Sequence, residues 1–424
     1  MKKLVLDTYE KPTLFKWILL SLQHVFAMFG ATVLVPILTG LDVSVALIGS
    51  GIGTLIYILA TKAKVPMYLG SSFAYIAAVS GAYAVNGNFN SALVGFMAVG
   101  LIYVVVAILI KYFGVKWLKW LLPSVVVGPM IMVIGLSLAP VAVGQITNLA
   151  DGTVVGWEGY LVASVTFLTI IIVSIKAKGF IKIIPFLFGI LAGYITSLIV
   201  GIVDYSLFAN LRFFHLPKFQ LVGTYSFDFS ALYIFIPLAF VTIMEHIGDH
   251  QVLGAIMDRD FMTEPGLDKT LIGDGVATLF AGLIGAPANT SYGENTGVVA
   301  LTKVGSVWVT GLAALIAILL AFIMPVNVFI QSIPTPVLGG MALVLFGMIA
   351  ANGLKVIVED KVDLGEIKNV IIIASMLVVG LGGLVINIGG AINLETMALA
   401  AIVGILVNLL FKLLDSISFN KKKA

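Results

Sequence analysis

Apolar stretches of membrane-spanning length follow one another along nearly the whole chain, and the longest interruption, about Asp204 to Asp228, is itself rich in aromatic residues. A helix needs roughly 20 apolar residues to cross the hydrocarbon core, and only helices or closed barrels satisfy their own backbone groups there. Divided at charged and Gly/Pro-rich points, the chain yields fourteen candidate segments. They start near Phe15, Val45, Pro66, Ser91, Leu121, Tyr160, Ile183, Phe229, Thr270, Ala286, Ser306, Pro334, Asn369 and Thr396. Hydrophobic residues make up 60% of the 424 and charged residues 11%, where a soluble domain carries about 25% charge. The expected class is an all-α polytopic membrane protein with no soluble domain. Without cysteine, disulfides and thiolate metal sites are excluded, and no GxxxxGK[ST] phosphate loop is present.

Basic residues orient the segments. With the N-terminus in the cytoplasm, all but Arg212 and Lys218 of the 24 Lys and Arg residues fall on the cytoplasmic side, the tail Lys421–Lys423 included. Such asymmetry is what the positive-inside rule produces, and a wrong segment count would scramble it. Both termini are expected in the cytoplasm. Lys2 and Lys3 precede no cleavable signal, because the first apolar run is of full spanning length.

The two halves match in order. Leu22-Gln23-His24-Val25 recurs as Met244-Glu245-His246-Ile247, and Ser72-Phe73-Ala74 as Ser291-Tyr292-Gly293. Pro123, Gly128 and Met130 return as Pro334, Gly339 and Met341; Gly189-Ile190-Leu191 returns as Gly404-Ile405-Leu406. Seven is odd, so a second set of seven enters from the opposite side, making a 7+7 inverted repeat. Interrupted segments at matching places of such halves meet near the midplane and hold the substrate. Here they are the third and tenth, short and Gly-rich, each read as an extended stretch followed by a half-helix. Their free backbone N–H groups can donate to a ligand.

Carboxylates in apolar segments are costly and mark pathways. Glu245 and Asp249 are four apart, hence on one face of the eighth helix, and are expected to handle proton and substrate. Glu294 sits at the break in the tenth segment, as a ligand acceptor or as a cap neutralising the half-helix start. Asp274 suits either proton transfer or a structural bond to the tenth-segment backbone. Phe73 and Tyr292, at the two breaks, could stack on a planar ligand or simply pack. His246 and His250 lack a convincing partner set for metal; His246 and His24 are expected to hydrogen-bond to each other.

Glu294-Asn295-Thr296-Gly297-Val298-Val299-Ala300-Leu301-Thr302-Lys303 fits the nucleobase–ascorbate transporter signature, [QE]-N-x-G-x4-T-[RKG], at every specified position. Gln23-His24 resembles that family's first-helix motif. Ser21–Pro36, Tyr68–Ala74 and Asn289–Asn295 resemble its uracil-transporting bacterial branch, and the likeness runs over essentially the whole chain. The resemblance implies fourteen segments in two domains. A core takes residues 1–119 and 229–330 (segments 1–4 and 8–11), and a gate takes 120–228 and 331–424 (segments 5–7 and 12–14 with the basic tail). It implies a secondary active transporter of the bacterial cytoplasmic membrane that imports uracil by proton symport with alternating access, often as a homodimer. It further implies that Glu245 and Glu294 accept from the ring N–H groups and that the Phe73 and Gly293 amides donate to the carbonyls. Tyr292 lines the pocket, Glu245 and Asp249 couple the proton, and Gln23, His24, His246, Asp274, Asn295 and Phe346 support the site. Asp249 stands where some members have His, and Phe346 where some have Tyr.

The partners expected are thus a nucleobase, protons and the lipid bilayer, with no cofactor, metal or nucleic acid and no enzymatic activity. A xanthine or urate permease of the same family is the nearest rival, favoured by Asp249 and Asp274. An anion transporter or channel on a similar 7+7 fold would want a cationic site, and no Lys or Arg lies at a segment centre.

Overall fold

The computed structural model describes residues 4–149, 152–209, 211–388 and 392–421; the basic residues Lys2, Lys3, Lys422 and Lys423 lie outside them. The chain runs α1 (Leu14–Thr39), α2 (Val43–Ala60), β1 (Leu69–Ser71), a 3-10 turn (Phe73–Tyr75), α3 (Ile76–Asn86), α4 (Asn90–Phe113) and α5 (Lys116–Leu121). It continues with α6 (Ser124–Ser137), α7 (Ala139–Thr147), α8 (Trp157–Lys176), α9 (Pro185–Val200), α10 (Leu232–Met257) and α11 (Leu267–Ile284). There follow β2 (Asn289–Ser291), α12 (Gly293–Thr302), α13 (Val307–Ala321), α14 (Met324–Gln331), α15 (Thr335–Glu359) and α16 (Ile367–Leu381). The last elements are β3 (Val385–Ile388), β4 (Ile392–Glu395) and α17 (Thr396–Lys421).

Among the described residues, eight helical stretches have the length and hydropathy of a complete span: α1, α2, α4, α6 with α7, α8, α10, α15 and α17. Shorter apolar helices cover Phe73–Asn86, α9, α13 and α16. The fifth expected segment is broken at Leu138, where α7 begins with a proline in its first turn. Pro140 has no N–H to continue the ladder of α6. The short helices α5 and α14 have no counterpart among the fourteen expected segments.

The helices pack in two groups. In one, α11 lies against α2 and α4, α13 against α1 and α2, and α10 against α4 and α12. In the other, α15 lies against α6, α7, α8 and α9, while α16 packs on α6 and α17. Membrane helices gain little from apolar burial against one another and rely on close packing of small residues. A Cβ at Gly100 of α4 would stand 2.4 Å from the carbonyl oxygen of Gly275 in α11; one at Gly353 of α15 would stand 2.4 Å from that of Gly128 in α6. Each group is therefore seated on a glycine contact that no larger residue can make.

Between α1, α2, α10 and α11 lies a two-stranded antiparallel ribbon. Leu69 pairs with Ser291, Gly70 with Thr290 and Ser71 with Asn289. Tyr292 N–H to Tyr68 carbonyl (3.0 Å) and Ser72 N–H to Ala288 carbonyl (2.9 Å) extend the pairing at both ends. All six strand residues are buried. Extended backbone survives here because its polar groups are satisfied within protein. Ser50 Oγ donates to Leu69 carbonyl (2.6 Å), Leu69 N–H donates to Thr54 Oγ1 (3.0 Å), and Thr278 Oγ1 donates to Asn289 carbonyl (3.0 Å). Asn289 Nδ2 in turn donates to the carbonyls of Gly49 and Ala277, both at 3.1 Å.

The N-terminal strap closes one end of the first group. Leu6 bridges Val304 in parallel. Arg259, after α10, grips Asp7 at 2.7 and 2.8 Å and Thr8 Oγ1 at 2.7 Å. The strap thereby ties the ends of α10, α12 and α13 together.

Candidate functional site

The ribbon hands the chain to two short helices, one starting at Phe73 and the other at Gly293, and neither N-cap side chain, Ser72 or Tyr292, makes a capping hydrogen bond. Glu294 itself stands in the first turn of α12, where an acid also complements the helix start. Its carboxylate is half-buried in the first turn of α12, facing α10. Glu245 is likewise half-buried, and lies within electrostatic reach of Glu294 and Asp274. Asp249, one turn on, accepts from Ser291 Oγ at 3.1 Å. A Cβ built at Gly293 would meet only Asp249 Oδ1, at 3.7 Å, and one at Gly248 or Gly297 would meet nothing within 4 Å. The acids therefore border open space between α10 and α12, beside the uncapped amides. Carboxylates beside free N–H donors can pair with a ligand that carries both N–H and C=O groups.

Phe73 is half-buried and meets Phe346 of α15 edge-on, with ring centroids 6.2 Å apart. This is a contact between the two helix groups. Tyr292 is differently employed. Its hydroxyl donates to Ser71 carbonyl (2.9 Å) and accepts from Thr32 Oγ1 (3.1 Å), and its ring lies over Gly70. The ring clamps the ribbon to α1 and is itself buried.

The expected bond between His24 and His246 does not form. Asn295 Nδ2 reaches His24 Nδ1 (3.0 Å) and His24 carbonyl (3.1 Å), joining α12 to α1. Gln23 Oε1 and Asn295 Oδ1, both buried, have no hydrogen-bond partner among the described residues. His246 instead pairs through Nδ1 with Asp274 Oδ2 of α11 at 2.7 Å, both side chains fully buried. Matching places in two repeats bring two residues to equivalent surroundings, not to each other. The acids and histidines of α10 occupy adjacent faces, because consecutive residues are about 100° apart around a helix.

Sequence reasoning passed over three partners. His250 donates from Nδ1 to His246 carbonyl (2.6 Å) and its Nε2 meets the hydroxyl of Tyr57, buried on α2. With Nδ1 donating, Nε2 of a neutral ring must accept from Tyr57. The two histidine rings stack with centroids 3.9 Å apart. Ser291 and Thr32 are the other two. A lone hydroxyl in an apolar helix was the available signal for Tyr57 and Thr32, and it does not say which partner will be met. No group of three or more His, Asp or Glu suited to a metal occurs among the described residues.

The permease family model Xan_ur_permease matches residues 15–389. The chain belongs to this permease family. The permease is 46% identical to the uracil permease of Bacillus caldolyticus, over 97% of this chain and 95% of that one. It is 44% identical to the uracil permease of Bacillus subtilis strain 168 (96% and 95%), and 41% identical to that of Escherichia coli K12 (98% and 96%). These relatives are carriers and not enzymes. Among solved structures it resembles the transmembrane domain of a cyanobacterium bicarbonate transporter, BicA, with TM-score 0.60 and 16% identity over 95% of this chain and 99% of that one. It also resembles the murine anion transporter Slc26a9 with TM-score 0.68 and 12% identity, over 96% and 69%. At such identity these two speak for the fold alone, and the fold of the permease is that of this transporter class.

Proposed function

We propose that this permease imports uracil across the bacterial cytoplasmic membrane by proton symport, with Glu245 and Glu294 accepting from the ring N–H groups and the Phe73 and Gly293 amides donating to its carbonyls. Uracil is favoured by full-length relatives named uracil permeases at 41–46% identity. The observation that carries the site is the meeting of two uncapped half-helix starts with two acids of α10 beside open space. A site that pairs each polar edge of a small ring rejects analogues lacking one. Asp249, held by Ser291 rather than by open space alone, is the coupling group, and carboxylates sharing one water-poor site titrate as a unit. Asp274 is paired with His246.

The same reading takes the chain as fourteen crossings in a 7+7 inverted repeat with both termini in the cytoplasm. The ribbon supports it, since β1 and β2 hold equivalent places in the two halves and pair with each other. The two packing groups support a core and a gate that move past one another along the Phe73–Phe346 contact. Arg212 and Lys218, in the α9–α10 connection, remain the exceptions to the basic asymmetry.

Proteoliposome uptake tests the proposal. Labelled uracil should accumulate when the outside is acidic, collapse with a protonophore, and be competed by uracil but not by xanthine. Accumulation that required sodium and ignored the pH gradient would refute symport with protons; competition by xanthine alone would refute the substrate.

A further inference from the structure

An exposed apolar groove of about 360 Å³ runs along the outer face of the helix bundle. Leu101, Val105 and Leu109 line it from one face of α4, Trp117 and Leu121 from α5, and Phe240 from α10. The three α4 residues are spaced by four, so the groove follows that helix for about 12 Å and ends against α5. Its polar lining is almost nil, which suits a hydrocarbon chain and no soluble ligand.

The end at α5 has the opposite character. Lys111 lies in the last turn of α4, and Lys116 and Lys119 flank Trp117 in α5. All three are exposed, and none forms a salt bridge among the described residues. The sequence holds no Asp or Glu between Asp42 and Asp151, so none of α2–α7 can supply a counter-charge. Of the carboxylates outside these helices, Asp360 accepts from Ser124 and Asp415 pairs with Lys368. The indole Nε1 of Trp117 has no hydrogen-bond partner among the described residues. Lys412 of α17 completes the corner, its ammonium 4.3 Å from the Trp120 ring centre.

We propose that this groove binds an anionic phospholipid, one acyl chain lying along α4 and the phosphate held by Lys111, Lys116 and Lys119. Charge decides against the alternatives. A zwitterionic lipid brings an ammonium group, and neither α4 nor α5 holds a carboxylate for it. A free phosphate would make no use of the apolar groove. Basic pockets between membrane helices are established places for acidic headgroups. A chain seated there touches both α10, which carries Glu245 and Asp249, and α5, which leads into α6.

Native mass spectrometry of the detergent-purified permease, titrated with dioleoyl phosphatidylglycerol or dioleoyl phosphatidylcholine, tests this. The wild type should retain one phosphatidylglycerol per chain at least tenfold better than phosphatidylcholine. Lys116→Gln with Lys119→Gln should lower that retention about thirtyfold, at the usual worth of a basic side chain near an acidic membrane surface. Val105→Trp, which fills the groove and leaves the lysines, should abolish retention of the lipid. The surface control Lys355→Gln should change nothing. Equal retention of the two lipids by the wild type would overturn the proposal, as would unchanged retention in both the lysine and the groove variants.

Discussion

Replacing Gly70 by alanine probes the ribbon at the point where one methyl group has no room. The added Cβ would stand 2.5 Å from Cε2 and Cζ of Tyr292 and 2.7 Å from its hydroxyl. That ring cannot swing aside freely, because it is 2% exposed and its hydroxyl bonds both Ser71 and Thr32. Overpacking costs about 1–3 kcal/mol and the two hydrogen bonds about 1 kcal/mol each, so the change should destabilise by about 3–5 kcal/mol. Gly70 does not have a positive φ, so the cost is one of space and not of backbone strain. Uracil binding should fall with it, since the displaced ring leads directly into Gly293 and Glu294. The measurement is a stability series in detergent together with equilibrium uracil binding, done as a double-mutant cycle with Tyr292→Ala. With the ring removed, Gly70→Ala should cost less than about 1 kcal/mol, because contacting residues are strongly non-additive. An equal cost in both backgrounds would show that the ring is not what excludes the methyl group, and the account of the ribbon would fail.

Other outcomes follow from the site. Glu294→Gln keeps size but turns half of an acceptor into a donor, so uracil affinity should drop about tenfold or more while the unfolding temperature stays put; near-normal binding would remove Glu294 from the site. Asp249→Asn can still accept from Ser291, so equilibrium uracil binding should persist while the acid-stimulated part of uptake disappears, whereas Glu245→Gln should lose both. Loss of binding in both variants alike would mean that the acids act as one unit. Tyr57→Phe strands the buried Nε2 of His250 and should cost about 1–3 kcal/mol, yet Tyr57→Phe with His250→Leu should be close to neutral, since removing both partners leaves nothing unpaired; thermal unfolding of the three proteins decides it.

The location of the candidate site was legible because two signals coincide in the chain: carboxylates inside apolar segments, and short Gly-rich segments at matched places in the halves. Glu245, Asp249 and Glu294 come near one another between α10 and α12, which is the juxtaposition the proposed site rests on. Partner choice was not legible. His24 and His246 stand in similar sequence contexts, Leu22–Val25 and Met244–Ile247, and pairing them with each other was the natural inference. The fold pairs them with Asn295 and Asp274 instead, because equivalent helices in two halves face their own neighbours. Tyr292 shows the same limit: an aromatic at a break suggested a stacking surface, and its hydroxyl and Gly70 make it a clamp.

What the amino-acid order determined by itself is the medium and the periodic layout. The cost of unpaired backbone in lipid leaves a chain this apolar almost no choice but helices. Composition and spacing act locally, so they could be read without coordinates. Only the tertiary structure decided that the two interruptions become a single ribbon, in the register Gly70 opposite Thr290. Neither strand could exist alone at that depth, since each supplies the hydrogen-bond partners that lipid cannot. Satisfying those groups requires residues about 220 apart in sequence to meet, and that meeting brings the half-helix starts to the acids of α10.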